Sequence, residues 1–204
     1  GLHISVRMVE RMPIPMKASI DFVELLKQSP IITAVKNGEE LEQALQSECS
    51  IVFLLYGSIM NIAELTQKVT QNGKLPFVHM DLVEGLSTRR DVAVDFIHKQ
   101  TDAVGVISTH QSVIRYAKSL GMLTVQRFFL LDSLAFENVI RQSSDADAVD
   151  ILPGAMPKVI RKLAQKIHRP IIASGLIADK DDIISALSAG ALAISTTDTE
   201  LWFV

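Results

Sequence analysis

Eight short, near-continuously apolar runs recur along the chain: Ile31 to Val35, Ile51 to Tyr56, Phe77 to Met80, Ala103 to Ile107, Leu123 to Phe128, Ala148 to Leu152, Ile171 to Ala173 and Ala191 to Ser195. None alternates strictly between polar and apolar residues, the pattern expected of strands buried on both faces. Between them, apolar residues return at helical spacing. Glu39 to Gln46 sets Leu41, Ala44 and Leu45 three and four apart, opposite Glu39, Glu40, Glu42 and Gln43. Its acidic first turn suits the positive end of a helix dipole. Val159, Ile160, Leu163, Ala164 and Ile167 form a second stripe. Ile183, Ile184, Leu187 and Ala191 form a third, behind an acidic start at Asp179, Asp181 and Asp182.

Eight strands alternating with helices fold either as an open doubly wound sheet or as a closed barrel. The count of eight, a repeat of about twenty to twenty-five residues and the absence of a glycine-rich fingerprint after the first strand favour the barrel. The predicted fold class is α/β, a compact (β/α)8 TIM barrel, whose 204 residues leave room only for short loops. Gly1 is no initiator and reads as a remnant of an added tag. Residues 1–15 are therefore expected to be an extension, and residues 16–204 a single barrel domain.

Composition narrows the class. A formal charge of −3, from 20 basic and 23 acidic residues, with 48% hydrophobic content, is too apolar and too near neutrality for a disordered chain. The one cysteine, Cys49, excludes an internal disulfide framework and suits a reducing compartment. Ile51 to Tyr56, among the longest apolar runs, falls far short of the eighteen or so residues that span a bilayer. Arg7, Glu10 and Arg11, followed by Pro13 and Pro15, interrupt any signal-peptide pattern. The slight acidity also counts against a protein devoted to non-specific nucleic-acid binding, leaving only a local basic face.

In such a barrel, chemistry sits at the C-terminal ends of the strands. The polar residues there are Lys36; His79, Asp81 and Glu84; Ser108, Thr109 and His110; Gln126 and Arg127; Asp150, with Pro153 and Gly154; Ser174 and Gly175; and Ser195, Thr196 and Thr197. Gly175 lets the backbone approach an anion, and Ser195, Thr196 and Thr197 add hydroxyl and amide donors, a phosphate-site pattern at strands seven and eight. Turn chemistry alone would also place Ser and Gly there. His79 and Asp81, two apart, point the same way on a regular strand and suit proton exchange or metal ligation, or else a hydrogen-bonded layer in the barrel mouth or recognition of ligand hydroxyls. No second histidine lies at metal-ligand spacing, so no metal is expected. Arg127, amid Leu123, Val125 and Phe128, requires a partner, with Asp150 the first candidate and a bound phosphate the second. Lys158, Arg161, Lys162 and Lys166 spread over one helix face, and Arg89 and Arg90 follow the third strand. Each is either a solvated face or part of a nucleic-acid surface.

Several motifs occur in order: His79-Met80-Asp81-Leu82-Val83-Glu84-Gly85, Gly105-Val106-Ile107-Ser108-Thr109, Gln126-Arg127-Phe128-Phe129-Leu130-Leu131-Asp132-Ser133, Asp150-Ile151-Leu152-Pro153-Gly154, Ala173-Ser174-Gly175-Leu176-Ile177 and Ser195-Thr196-Thr197. Together they resemble the glycerol-3-phosphate-responsive antiterminators, from about Ile31 to Trp202. The resemblance implies a bacterial cytoplasmic regulator, not an enzyme. Such a protein senses glycerol 3-phosphate, uses no cofactor, and stabilises the leader mRNA of glycerol-utilisation genes.

On that reading Ser174, Gly175, Ser195, Thr196 and Thr197 hold the phosphate, and Lys36, His79, Asp81, Glu84, Arg127, Asp150 and Gly154 complete the ligand site. The RNA candidates are Arg89, Arg90, Lys158, Arg161, Lys162 and Lys166, on a face that pairing of two copies would lengthen. Ser174 stands where the family commonly has a second glycine, Asp150 where it has glutamate, Lys36 where it has arginine, and His110 where it has a basic residue. Two alternatives remain open: a barrel enzyme acting on a small phosphorylated substrate, and a metabolite sensor that passes its signal to another protein.

Overall fold

The structure, a computed structural model, describes residues 20–86 and 90–204. Arg89 and the expected extension at residues 1–15 lie outside the described residues. Eight parallel strands, β1 (Ile31–Val35), β2 (Ile51–Leu54), β3 (Leu75–His79), β4 (Gly105–Ser108), β5 (Leu123–Phe129), β6 (Ala148–Leu152), β7 (Ile171–Ser174) and β8 (Ala193–Thr196), pair in sequence order. β8 returns to β1, with Thr196 in register with Thr33, and so closes the barrel. The fold is the (β/α)8 TIM barrel.

Two apolar layers hold it. Alternate strand residues such as Ile32, Ala34, Ile51, Phe53, Leu75, Phe77 and Val125 pack together inside the barrel. The intervening set, including Val35, Val52, Leu54, Val78 and Val106, packs outward against Leu41, Ile62, Val69, Val94 and Ile97 of the helices. This explains the near-continuous apolar runs, since both faces of every strand are covered.

A short helix precedes the first strand. In α1 (Phe22–Gln28), capped by Asp21, the side chains of Phe22, Leu25 and Leu26 are buried. They join the interior cluster, and the Phe22 ring stacks on Phe77 with centroids 5.4 Å apart. Phe77 has room because β4 begins with glycine: a Cβ on Gly105 would lie 2.4 Å from that ring.

Seven helices follow the strands: α2 (Gly38–Gln46), α3 (Ile62–Gln71), α4 (Asp91–Gln100), α5 (Gln111–Ser119), α6 (Ser133–Gln142), α7 (Pro157–Lys166) and α8 (Lys180–Ala189). A 3-10 segment, Thr199–Phe203, stands after β8 in place of a further α-helix. Helix starts are fixed by side chains that accept otherwise unpaired N–H groups: Asn37 from Glu40 N at 2.8 Å, Asp132 from Ala135 N at 2.8 Å and Asp179 from Asp182 N at 2.8 Å. The stripe expected behind Asp179 differs in detail. Ile183, Ala186 and Ala189 face inward, Ile184 is exposed and Ala191 lies past the helix end. Gly190, at φ 123°, terminates the helix before Ala191 can join it.

Candidate functional site

The ends of β5 to β8 carry one connected polar layer. The guanidinium Nε of Arg127 donates to Asp150 Oδ2 at 2.8 Å. The Ser174 hydroxyl donates to the other Asp150 oxygen and also contacts the Ser195 hydroxyl. Arg127 and Asp150 are partners in register on β5 and β6, and Ser174 and Ser195 on β7 and β8. Asp150 is fully buried and Arg127 nearly so. Burial pushes the Asp150 carboxyl up from its usual range, while the Arg127 charge and the Ser174 hydroxyl pull it back. A carboxylate beside this guanidinium satisfies both groups. Asp150 and Ser174 are thus in contact.

A cavity of ≈ 190 Å³ opens above this layer, lined by Ala34, Leu55, Arg127, Leu152, Ser174 to Ile177 and Ser195 to Asp198. It contains all five residues predicted to hold phosphate. Gly175 (φ 74°) and Leu176 (φ 57°) are consecutive left-handed residues, and Leu176 is the non-glycine at positive φ among the described residues. A leucine there costs about 1 kcal/mol or more. Both residues border the cavity, so this turn brings the backbone itself to the cavity wall. A Cβ on Gly175 would lie 3.3 Å from Leu152 Cδ2, so the glycine answers both to conformation and to space.

Gly154 supports that loop from below. Its N–H donates to Gly175 O at 3.0 Å, and a Cβ on it would lie 2.5 Å from Ser174 N. The peptide bond between Leu152 and Pro153, just before it, is cis. On the other side, the Thr196 hydroxyl accepts from Asp198 N at 3.0 Å, and the buried Trp202 indole donates to Thr196 O at 2.9 Å.

The β3 side of the mouth differs. His79 ends β3, points inward like Phe77 and is 3% exposed, and its Nδ1 has no hydrogen-bond partner. Burial, helped by the nearby Arg127 charge and opposed by Asp81, pulls its pKa down to about 4. The imidazole is therefore neutral at physiological pH.

Asp81 does not continue the strand beside His79, as the spacing predicted, because the chain turns into a 3-10 segment at Met80–Leu82. Its carboxylate instead accepts from Ser108 Oγ at 3.1 Å, Thr109 N at 2.9 Å and Thr109 Oγ1 at 2.9 Å. His110 Nε2 lies 3.9 Å from it. Glu84 is exposed and joins the rim through its backbone, donating to Gly57 O and accepting from Ile59 N at 2.9 Å each. Lys36 is exposed one residue beyond β1.

Lys158, Arg161, Lys162 and Lys166 are all exposed on α7, opposite buried Ile160 and Leu163. Arg90 is exposed at the start of α4. Among the described residues no three His, Cys, Asp or Glu side chains converge as a metal site, and no helix is long and apolar enough to cross a membrane. The sequence reading missed Leu176, Ile177, Leu152, Ala34, Leu55 and Asp198 as cavity walls. Five are apolar and carry no chemical signal. Asp198, an acid before Thr199 and Glu200, was legible as a helix cap.

Residues 31–202 match the family described as glycerol-3-phosphate responsive antiterminator. The uncharacterized protein YgcP of Escherichia coli (strain K12) is 41% identical over 182 residues, covering 88% of this chain and 95% of that protein. The crystal structure of a glycerol uptake operon antiterminator regulatory protein from Listeria monocytogenes superposes with a TM-score of 0.79 at 32% identity, covering 84% of this chain and 94% of that one. A glycerol uptake operon antiterminator-related protein from Thermotoga maritima superposes with a TM-score of 0.75 at 34% identity, covering 85% and 98%.

Proposed function

The chain belongs to the glycerol-3-phosphate responsive antiterminator family, and we propose that it is a cytoplasmic, non-enzymatic regulator that binds glycerol 3-phosphate in the mouth of its barrel and in response holds a leader mRNA. The observation that carries the ligand half is the cavity at the ends of β7 and β8. It joins a left-handed Gly175–Leu176 turn, the Ser195, Thr196 and Thr197 donors and the Arg127 guanidinium around one small volume. Barrels frequently hold a phosphate at these two strand ends. Arg127 brings charge there, and its Nε bond to Asp150 fixes its orientation before the ligand arrives.

The RNA half is supported by the family and by the four exposed basic residues of α7. A ligand drives such a switch only through different affinities for RNA-competent and RNA-incompetent states. The loops after β6 and β7 provide a route. Gly154 ties them together through Gly175, and α7 begins three residues beyond Gly154.

Calorimetric titration with glycerol 3-phosphate tests the ligand half. Wild-type protein is expected to bind saturably. Gly175→Val, which places a branched side chain at positive φ against Leu152, is expected to weaken binding at least tenfold while the chain stays folded. Equal affinity in the folded variant would remove the phosphate from this loop.

A further inference from the structure

We propose that the groove between α6 and α7 is the docking site for a second copy of this chain, so that the protein pairs about a two-fold axis through that face. Helix α6 is the least covered of the helices that follow the strands. Of its ten residues only Val139 is buried, whereas each of the other six helices buries between two and four residues. Leu134, in the first turn of α6, is 65% exposed, and Leu131, in the loop after β5, is 81% exposed. A groove of ≈ 440 Å³ opens beside them, with Leu131 and Phe136 on the α6 side and Met156 and Val159 on the α7 side. Helical spacing turns Ser133, Phe136 and Glu137 toward this groove and leaves Leu134 on its flank. Protruding apolar side chains next to an apolar groove mark a contact between proteins.

Charge points to a second copy as the occupant. Glu137 stands on the α6 wall of the groove and Lys162 on the α7 wall, and among the described residues neither makes an ion pair. A two-fold axis sets one surface against itself, so that every contact occurs twice with the roles exchanged. Lys162 of one copy then faces Glu137 of the other, and the exposed leucines of each copy cover the groove of its mate. An RNA strand suits the same groove poorly, because Asp132 and Glu137 both line it and would meet the phosphates. The pairing itself does not depend on the ligand and RNA readings. Its consequence does rest on the RNA reading: α7 forms one wall of the groove, so Lys158, Arg161 and Lys166 of both copies border one junction and offer a single RNA twice the basic surface.

Sedimentation equilibrium of the full chain tests this, with thermal unfolding to show that each variant is folded. Wild type is expected to sediment with the mass of two chains. Leu131→Asp and Leu134→Asp, both at exposed positions, should raise the dissociation constant of the pair at least about tenfold, because each sets an unpaired charge in the contact. Glu137→Lys and Lys162→Glu should each weaken pairing about tenfold by placing like charges face to face. The double variant Glu137→Lys/Lys162→Glu should recover wild-type pairing to within about threefold, a rescue that requires the two residues to meet. Met60→Glu, at an apolar residue 88% exposed in the loop after β2, should leave pairing unchanged. A monomeric wild type, pairing that survives Leu134→Asp, or a double variant no better than the single ones overturns the inference. A monomer whose leader-RNA binding falls in Leu134→Asp also overturns it, and gives the groove to RNA.

Discussion

At the scale of single residues, the mouth is governed by groups whose charge state is set by burial. His79 takes up its proton near pH 4 in the folded chain instead of at its ordinary 6.5. Between those values the unfolded chain binds more protons, so stability is fully present above pH 6.5 and is lost as pH falls toward 4, by up to roughly 3 kcal/mol. Urea denaturation at pH 7.5, 6 and 5 should show wild type losing stability relative to His79→Gln, and parallel profiles would contradict the assignment. Much of this site was legible in the sequence. Arg127 amid apolar neighbours demanded an acid, and Asp150 is that acid. The left-handed Leu176 was not legible, because nothing in a leucine announces positive φ. The neutral state of His79 was also hidden, since it depends on which strands surround it.

Among the elements, the strands were readable because burial on both faces leaves continuous apolar runs. β1 and β6 coincide with the runs Ile31 to Val35 and Ala148 to Leu152. Helix α1 was not readable, because its seven residues span too few turns to show a period. Its role became visible only with Phe22 stacked on Phe77 beneath the barrel. Two substitutions test this packing. Leu26→Ala removes a fully buried side chain of α1 and should cost about 2–5 kcal/mol. Gly105→Ala sets a methyl against Phe77 and the Leu123 carbonyl and should cost about 1–3 kcal/mol. Thermal or urea denaturation reads both, and a neutral Gly105→Ala would mean that Phe77 has another place to go. On α7, reversing Lys158, Arg161 and Lys162 to glutamate should weaken leader-RNA binding and flatten its salt dependence while leaving glycerol 3-phosphate affinity unchanged. Unaltered RNA binding would move the RNA surface elsewhere.

For the whole molecule, a net charge of −3 means that the proposed RNA contact would rest on a localised face rather than on a general basic field. Helix α7, which carries the proposed RNA face, begins three residues beyond Gly154, whose N–H is bound to Gly175 O in the loop of the proposed ligand mouth. The most direct measurement is a mobility-shift titration of leader RNA with and without glycerol 3-phosphate, repeated at several salt concentrations. Binding is expected to be tighter with the ester present, by at least about fivefold, with that gain lost in Gly175→Val. RNA binding that is absent, or that is the same with and without the ester, would contradict it.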